Sequence, residues 1–294
     1  MAIAPSTPSP LPEAPFTREG LLSLVTGGRS PEKEDPLEEA LVYHLGTGGG
    51  QTRARIALEA GTALALSDND PLLLAASVEL LHNASLVQDD LQDHSEDRRG
   101  KPSVWKKFGN ATAIGLTDFL IASSFQVVGG VSTPERIPGL LTCLHDAIHR
   151  TLKGQGLDLQ TTSPASVGAC MEVAAAKSGP LFALSLELPL LMAGMDQHRQ
   201  QARIAASDFG IGYQIYDDLD DFAFDLATDA RANLVLLLHE EMPLPEAREK
   251  AVCLAKERLS SAAARASTLP NESGRELERL AHVLHERLEE FRHA

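Results

Sequence analysis

The chain has 294 residues, of which 41 are acidic and 26 basic, so its formal net charge is −15. Nucleic-acid binding needs a basic surface that neutralises phosphates, and the charge of this chain has the opposite sign. The sequence has no run of about 18 uninterrupted apolar residues, so it predicts no helix that spans a bilayer. The hydrophobic content of 43% is enough to build a large core.

The first 16 residues are rich in proline, which fixes φ and lacks a backbone N–H. They also lack the basic and apolar regions of a secretory signal. We therefore predict a disordered tail over residues 1–16 and one folded domain over residues 17–294. The prolines lie at positions 5, 8, 10, 12 and 15.

Apolar residues recur with helical spacing over most of the remaining sequence. A helix begins near Pro36 and ends at the glycine-rich segment 46–50, and Asp70 is an N-cap for the long helix that follows. The charged segment 94–102 is predicted to be a loop. The predicted helices cover residues 36–45, 51–67, 70–93, 109–129, 134–153, 166–194, 197–225, 244–266 and 273–292. The pattern predicts an all-α single domain, a bundle of about ten helices.

Two of these helices carry the acidic motif D-D-x-x-D. Residues four apart share a helix face, so Asp89 points the same way as Asp93, and Asp217 the same way as Asp221. Both motifs continue strongly apolar helices, which places the carboxylates near the interior, where unpaired charge is costly. A hard divalent cation, most often Mg²⁺, is the natural compensation. The complete motifs are Asp89, Asp90 and Asp93, and Asp217, Asp218 and Asp221.

Other interpretations of these acidic residues stay open. The motifs could be solvated helix ends, although two copies behind apolar helices favour a metal site. An EF-hand calcium loop is disfavoured because its D-x-D-x-D-G pattern is missing. A metal hydrolase site could be built from His145, Asp146 and His149, but these residues fit an ordinary helix face. The distant cysteines Cys143, Cys170 and Cys253 are typical of reduced thiols in a cytoplasmic protein.

Basic residues accompany the acidic motifs. Arg98 follows the first motif closely, and a guanidinium group matches phosphate oxygens bidentately. Lys177 lies within an otherwise apolar helix and needs an anionic partner. Arg53 and Arg55 follow the glycine-rich segment at a helix start, where free N–H groups favour anions. Together these features predict a site for an apolar molecule with a diphosphate head.

At this point the sequence resembles the trans-isoprenyl diphosphate synthases, the polyprenyl synthetase family. The resemblance spans most of the chain after residue 36 and follows the family order of motifs. It implies the isoprenoid synthase fold, an orthogonal helix bundle around a central apolar cavity. The matching stretches are residues 79–93 (ELLHNASLVQDDLQD), 98–102 (RRGKP), 154–159 (GQGLDL), 177–182 (KSGPLF) and 209–218 (FGIGYQIYDD).

The resemblance also implies roles for individual residues. The six motif aspartates would hold three Mg²⁺ ions against an allylic diphosphate, and Arg98 would bind that diphosphate. Lys177, Ser178 and Gln214 would lie near the departing group, with Gln155 and Asp158 supporting the metal site. Arg53, His82 and Arg99 would contact isopentenyl diphosphate, and Ala84 and Ser85 would form the floor that limits product length. The resemblance further implies a homodimer whose substrates are prenyl diphosphates.

The sequence departs from the family at the second substrate's site. The family usually has Gly-Gly-Lys-Arg-x-Arg-Pro there, whereas this chain has Gly50 and Gln51 in place of the lysine and the first arginine. Losing two charge-assisted hydrogen bonds to phosphate would weaken binding on the order of a hundredfold. The segment after the second motif, residues 222–233, is also shortened and has no lysine.

Three functions therefore stay open at the level of sequence. The first is a chain-elongating synthase that condenses an allylic diphosphate with isopentenyl diphosphate. The second is a terpene synthase, or a prenyltransferase that uses a different acceptor. The third is a non-catalytic partner subunit of a heteromeric synthase. Because Ala84 and Ser85 are both small, we expect the first function to give products of fifteen to twenty carbons or more.

Overall fold

A computed structural model of the chain describes residues 17–30, 34–67, 69–160, 166–228 and 233–292. The tail predicted for residues 1–16 lies outside the described residues. The helices are α1 (Arg18–Thr26), α2 (Pro36–Leu45), α3 (Thr52–Ala63), α4 (Asp70–Gln92), α5 (Val104–Phe108), α6 (Asn110–Val128), α7 (Ile137–Gln160), α8 (Val167–Met192), α9 (Arg199–Asp220), α10 (Phe222–Thr228), α11 (Leu234–Glu241), α12 (Leu244–Ala266) and α13 (Arg275–Arg287). The all-α class is confirmed.

Helix α8 is the centre of the bundle. It packs against α7, α9, α3 and α4, and its residues from Gly179 to Met192 are all buried. Phe182 and Leu186 belong to the half of the core formed with α9 and α12. Leu184 and Leu188 belong to the other half, formed with α4, α6 and α7. The side chains of α8 thus face both halves of the core, and α8 joins them.

Two helices, α6 and α8, are long and apolar enough to cross a bilayer when judged by length and composition alone. In each of them, 44% of the most apolar stretch of 18 residues is buried inside the protein. Both helices pack against several neighbouring helices. A core helix passes the same test, so this is weak support for a span. We interpret both as core helices, in line with the sequence-based expectation.

The structure differs from the predicted elements in several places. Helices α1, α5 and α11 were not predicted. The N-cap of α4 is Asn69 rather than Asp70, because the Asp70 carboxylate accepts hydrogen bonds from Ser67 and Ser132 instead.

The segment predicted as a loop contains a short antiparallel hairpin, β1 (Asp97–Arg98) and β2 (Lys101–Pro102). Its two turn residues, Arg99 and Gly100, have φ values of 54° and 73°, as a type I′ turn requires. Helix α7 continues through Gly154 and Gly156 to Gln160. The helix predicted over 197–225 is divided after Asp220 into α9 and α10.

Candidate active site

The first acidic motif lies at the carboxyl end of α4. Asp90 is buried, and its carboxylate accepts hydrogen bonds from Arg98, with Nε 3.0 Å from Oδ1. Asp89 and Asp93 remain available to a ligand. Burial raises the pKa of Asp89 to about 6, against the pull of Lys177. Burial also raises the pKa of Asp93.

Lys177 faces this motif from α8. Its Nζ donates a hydrogen bond to Oδ2 of Asp158 on α7, at 2.7 Å. Burial alone would lower the pKa of Lys177, but the carboxylates of Asp89, Asp158 and Asp93 outweigh burial and raise it. Lys177 is therefore a fixed positive charge between α7 and the end of α4, and Asp158 is the anionic partner that the sequence predicted for it.

The second acidic motif lies at the carboxyl end of α9. Burial, followed by the neighbouring charges of Asp218 and Asp221, raises the pKa of Asp217 well above its usual range. Asp218 instead accepts hydrogen bonds from Gln214 Nε2 at 3.1 Å and from the backbone N–H of Leu234 at 2.9 Å. The two motifs are thus alike, because in each the second aspartate is held by protein donors.

Asn233 completes the contacts of the second motif. Its Nδ2 donates to the backbone carbonyl of Asp218 and to Oδ2 of Asp225, both at 2.8 Å. Its Oδ1 accepts from the first N–H groups of α11. This N-cap ties the end of α9 to the start of α11. Among the described residues, Asn233 therefore connects Asp225 and the end of α9 with the start of α11. These contacts lie around the segment that departs from the family pattern.

Arg53 links the two acidic ends. It lies near the start of α3, where its Nη1 is 3.2 Å from Nε2 of His82 and its guanidinium carbon is 4.0 Å from the centre of the Phe182 ring. Burial lowers its pKa, opposed by Tyr213, Glu79, and the carboxylates of Asp217 and Asp89. The charges of Asp217 and Asp89 both raise the pKa of Arg53, so Arg53 lies within electrostatic reach of both motifs.

The remaining predicted residues lie on the same helices. Gln155 is 4% exposed, and neither atom of its amide has a hydrogen-bond partner within the described residues. Ser178 is half-buried beside Lys177 on α8. Ala84 is buried in the core, and the Ser85 hydroxyl donates to the carbonyl of His82 at 2.8 Å.

The chemistry of these donors suits Mg²⁺. Within the described ranges, no three His, Cys, Asp or Glu side chains form a complete chelating group. Mg²⁺ does not need one, since it is commonly held by one or two carboxylates, with waters and substrate phosphates in the other positions. Asp89 and Asp93 offer such carboxylates at one helix end, and Asp217 at the other. The unpartnered, buried Gln155 amide is suited to a metal-bound water.

Two other sequence-based ideas lead elsewhere. Arg55 does not face the site, because its guanidinium pairs with Glu276 on α13. His145 and Asp146 form a pair of 3.5 Å on the outside of α7, with 74% and 50% of their side chains exposed. These residues lie on an ordinary helix face, which is the interpretation that the sequence favoured.

Sequence reasoning assigned no role to two residues that complete the site. Glu79 is buried on α4, accepts from Asn83 Nδ2 at 3.3 Å and acts on Arg53. The Tyr213 hydroxyl lies close enough to Asp217 for that carboxylate, followed by burial, to raise its pKa to about 12. Their signal in the sequence is helical spacing, since Glu79 precedes His82 by one turn and Tyr213 precedes Asp217 by one turn.

A surface cavity of about 350 Å³ lies away from this site. It is lined by Arg136, Arg199 and Arg203, but also by Glu135, Asp146 and Asp196, so its charges balance. Arg199 is at the opposite end of α9 from Asp217, about 27 Å away by the helical rise. The acidic motifs, rather than this cavity, therefore define the candidate active site.

The raised pKa values predict how metal binding depends on pH. Folded Asp89 titrates at about 6 rather than its ordinary 3.8, so near pH 5 the folded state holds a proton that the unfolded state has lost. That proton stabilises the folded state, and its contribution to the free energy of unfolding is lost as pH rises through 6. Mg²⁺ binds the ionised form. Mg²⁺ with inorganic diphosphate should raise the Tm more at pH 8 than at pH 5.5.

The control for this measurement is Asp89→Asn, which keeps the shape of the side chain and removes its titration. The difference between the two pH values should shrink in that variant, by on the order of 1 kcal/mol of ligand-linked stabilisation. An equal Tm increase at both pH values in the unaltered protein would contradict the assignment of Asp89 as a metal-binding carboxylate.

The sequence profile described as polyprenyl synthetase matches residues 34–232. A (2E,6E)-farnesyl diphosphate synthase of Mycobacterium tuberculosis is 29% identical over 203 residues, which are 64% of this chain and 56% of that protein. A geranylgeranyl pyrophosphate synthase of Geoglobus acetivorans is 31% identical over 196 residues, which are 65% of this chain and 61% of that protein. The chain thus spans less than two thirds of each relative.

The similarity in structure extends further than the similarity in sequence. The solved geranylgeranyl pyrophosphate synthetase of Geoglobus acetivorans has a TM-score of 0.81 at 25% identity, covering 92% of this chain and 97% of that one. The corresponding enzyme of Pyrococcus horikoshii has a TM-score of 0.77 at 25% identity, covering 92% and 94%. The helix bundle is therefore shared almost throughout.

Proposed function

The chain belongs to the polyprenyl synthetase family, and from this premise we propose that it is a Mg²⁺-dependent prenyltransferase. It would ionise an allylic prenyl diphosphate and condense it with isopentenyl diphosphate. One observation supports the proposal: Arg53, packed on Phe182 of α8 at 4.0 Å, is a buried cation within electrostatic reach of both Asp89 and Asp217. We infer that the two acidic helix ends face one space, with Lys177 beside the first of them.

The binding of the allylic diphosphate would use groups of both signs. Asp89, Asp93 and Asp217 would hold Mg²⁺, which supplies charge neutralisation for the leaving diphosphate. Lys177 is fixed by Asp158 at 2.7 Å and adds a positive charge that needs no reorganisation. Asp90 would position Arg98 toward the same diphosphate, since their bidentate pairing fixes the guanidinium.

The reaction itself breaks the allylic C–O bond, and the electron pair leaves with the diphosphate. The double bond of isopentenyl diphosphate attacks the allylic cation and forms the new C–C bond. A proton then leaves the product, with the released diphosphate as the nearest base. Beside the site, Phe182 and the apolar face of α8 would exclude the water that quenches such a cation.

The test of this proposal is incubation of the protein with Mg²⁺ and geranyl, farnesyl or geranylgeranyl diphosphate, with and without isopentenyl diphosphate. Longer prenyl diphosphates that form only when isopentenyl diphosphate is present support the proposal. A complete lack of turnover with every allylic substrate would contradict it and favour the non-catalytic partner subunit.

A second candidate function is favoured by Gly50 and Gln51, which replace two cations of the usual acceptor site. It is a terpene synthase, or a prenyltransferase with another acceptor, that uses the same ionisation step. Hydrocarbons or alcohols that form without isopentenyl diphosphate would support this candidate over the first.

Product length gives a more specific prediction. Ala84 is 1% exposed and lies on α4 one turn before the first motif. Replacing it with phenylalanine should fill space toward the apolar interior and shorten the longest product by at least one isoprene unit. Product lengths are measured by mass spectrometry after exhaustive reaction. Unchanged products from a folded Ala84→Phe protein would show that this position does not limit the chain.

Self-association and location belong to the same proposal. Large apolar side chains are exposed on the adjacent helices α6 and α7, among them Ile114 at 53% and Leu152 at 46%. Burial of these side chains against a second copy would support the expected homodimer, which sedimentation velocity would measure. A cytoplasmic location is the setting expected for its three reduced cysteines.

A further inference from the structure

Three basic side chains gather around the glycine-rich segment 46–50. They are Arg53, Arg99 and Lys101, and none of them forms an ion pair with a carboxylate of the described residues. Arg98 and Lys177 differ from them, since Asp90 and Asp158 neutralise those two. The charge of Glu79 acts on Arg53 and Arg99 without forming an ion pair. The three cations still outnumber it, and an anionic ligand would relieve their repulsion.

The β1–β2 hairpin places two of these cations on the glycine-rich segment. Lys101 Nζ is 3.3 Å from the carbonyl oxygen of Gly46, and the Arg99 guanidinium donates to the carbonyl of Gly48. Gly49 has a φ of 142°, which L side chains rarely adopt, so glycine is favoured beside the Arg99 guanidinium. The hydroxyl of Tyr43 on α2 fixes the hairpin by donating to the carbonyl of Pro102 at 2.7 Å.

The segment itself provides backbone donors but no charge. Gln51 has a φ of 45° and precedes α3, and its own side chain does not cap the helix. Glu79 accepts from the backbone N–H of Ala54, which leaves the N–H groups before Ala54 for a ligand. Deeper in the same region, Nδ1 of His82 and Nε of Arg53 are buried without a partner among the described residues. These groups favour an anion and would bind it without a metal.

We propose that Lys101, together with Arg99, supplies from the hairpin the positive charge that Gly50 and Gln51 do not supply. The surface between the hairpin and the glycine-rich segment then binds the diphosphate of the second substrate. Lys101 is thereby a specificity-determining residue of this chain. The inference rests on the proposed function, because it names the group that recognises the acceptor of that reaction.

Lys101 and Arg99 contact backbone carbonyls rather than carboxylates. A neutral carbonyl is a weaker acceptor for an ammonium or guanidinium group than a phosphate oxygen is. Both side chains reach the segment from a hairpin held at both of its ends, so a diphosphate can replace the carbonyls without a change of fold. Acceptor binding at this surface therefore does not depend on Mg²⁺.

The test measures binding of isopentenyl diphosphate to the full chain by calorimetry in EDTA, so that the aspartate motifs hold no metal. Lys101→Ala should raise the Kd about tenfold, as expected for loss of one charge-assisted contact. The matched control is Lys250→Ala, which removes an exposed lysine of α12 and should leave the Kd unchanged. In steady-state assays Lys101→Ala should raise KM for isopentenyl diphosphate and leave kcat and KM for the allylic substrate unchanged.

A rescue variant strengthens this test. A Cβ atom at Gly50 would meet only the Thr52 hydroxyl, at 3.3 Å, so Gly50→Lys requires only a small shift of that flexible side chain. In the Lys101→Ala background, Gly50→Lys should restore the Kd. Unchanged affinity in Lys101→Ala, or binding that requires Mg²⁺, would overturn the inference. If isopentenyl diphosphate binds through Lys101 but is never incorporated, the proposed function fails and the binding site stands.

Discussion

Replacement of Asp89 or Asp217 by alanine is expected to lower turnover by about 10³-fold or more and to leave the helical fold intact. Each carboxylate lies at a helix end beside the proposed diphosphate position. Burial raises the pKa of both groups, which means that the ionised form is held in the folded protein at a cost. Lys177 and Arg53 offset part of that cost, and a metal cation that binds the ionised form would offset the rest.

This cost separates a functional aspartate from a structural one. Without metal at pH 8, Asp217→Ala should raise the Tm, because it removes a buried charge. Asp218→Ala should lower the Tm, because it leaves the backbone N–H of Leu234 without its acceptor at 2.9 Å. Steady-state turnover and thermal unfolding are measured on the same preparations. Asp118→Ala, which removes an exposed acid of α6, is the control for net charge.

Near-normal turnover in Asp89→Ala or Asp217→Ala would contradict the metal assignment. A large loss of Tm in Asp217→Ala would also count against it, since that result would make Asp217 a structural residue like Asp218. Turnover and Tm together therefore distinguish the aspartates that bind a ligand from those that stabilise the fold.

The main helices and the acidic motifs could be predicted from sequence because their signals are local. Apolar spacing alone marks α4, and the spacing of four residues places Asp89 and Asp93 on one face. Asp35 caps α2 with its side chain, as its position before Pro36 indicates. Nothing in these features depends on residues distant in the chain.

What could not be predicted depends on distant partners. The helix predicted over 134–153 stops short of Gly154 and Gly156, and glycine disfavours a helix interior. The helix continues because Gly154 packs against α8, more than twenty residues away. Likewise, Lys101 was predicted only as part of a loop. Its place beside Gly46 follows from the docking of the hairpin on α2, which no local pattern encodes.

Gly154 is expected to be essential for the close packing of α7 against α8. A Cβ atom there would lie 2.3 Å from the carbonyl carbon and oxygen of Ala176, and 2.6 Å from the backbone nitrogen of Lys177. Pro180 has no N–H to donate to the Ala176 carbonyl, so that oxygen is open to the Cα–H of Gly154. Since backbone atoms cannot yield as a flexible side chain does, Gly154→Ala should cost about 3 kcal/mol of the free energy of unfolding.

The same substitution should impair the site, because it pushes α7 away from α8. Lys177 on α8 and Asp158 on α7 are joined at 2.7 Å, and separating them would release the ammonium group from its fixed position. We expect kcat/KM for the allylic substrate to fall at least tenfold. Binding of Mg²⁺ with inorganic diphosphate, measured by calorimetry at a temperature where the variant is folded, should weaken as well.

Gly156→Ala is the matched control, since it lies on the same helix and its Cβ atom would meet nothing within 4 Å. Helix propensity favours alanine over glycine by up to about 1 kcal/mol at both positions, so Gly156→Ala should stabilise the protein and leave activity unchanged. Urea unfolding and steady-state kinetics compare the two variants. If Gly154→Ala matches Gly156→Ala in both, the contact with Ala176 does not position Lys177. Because the chemical change is identical, any difference between the variants isolates that contact between helices.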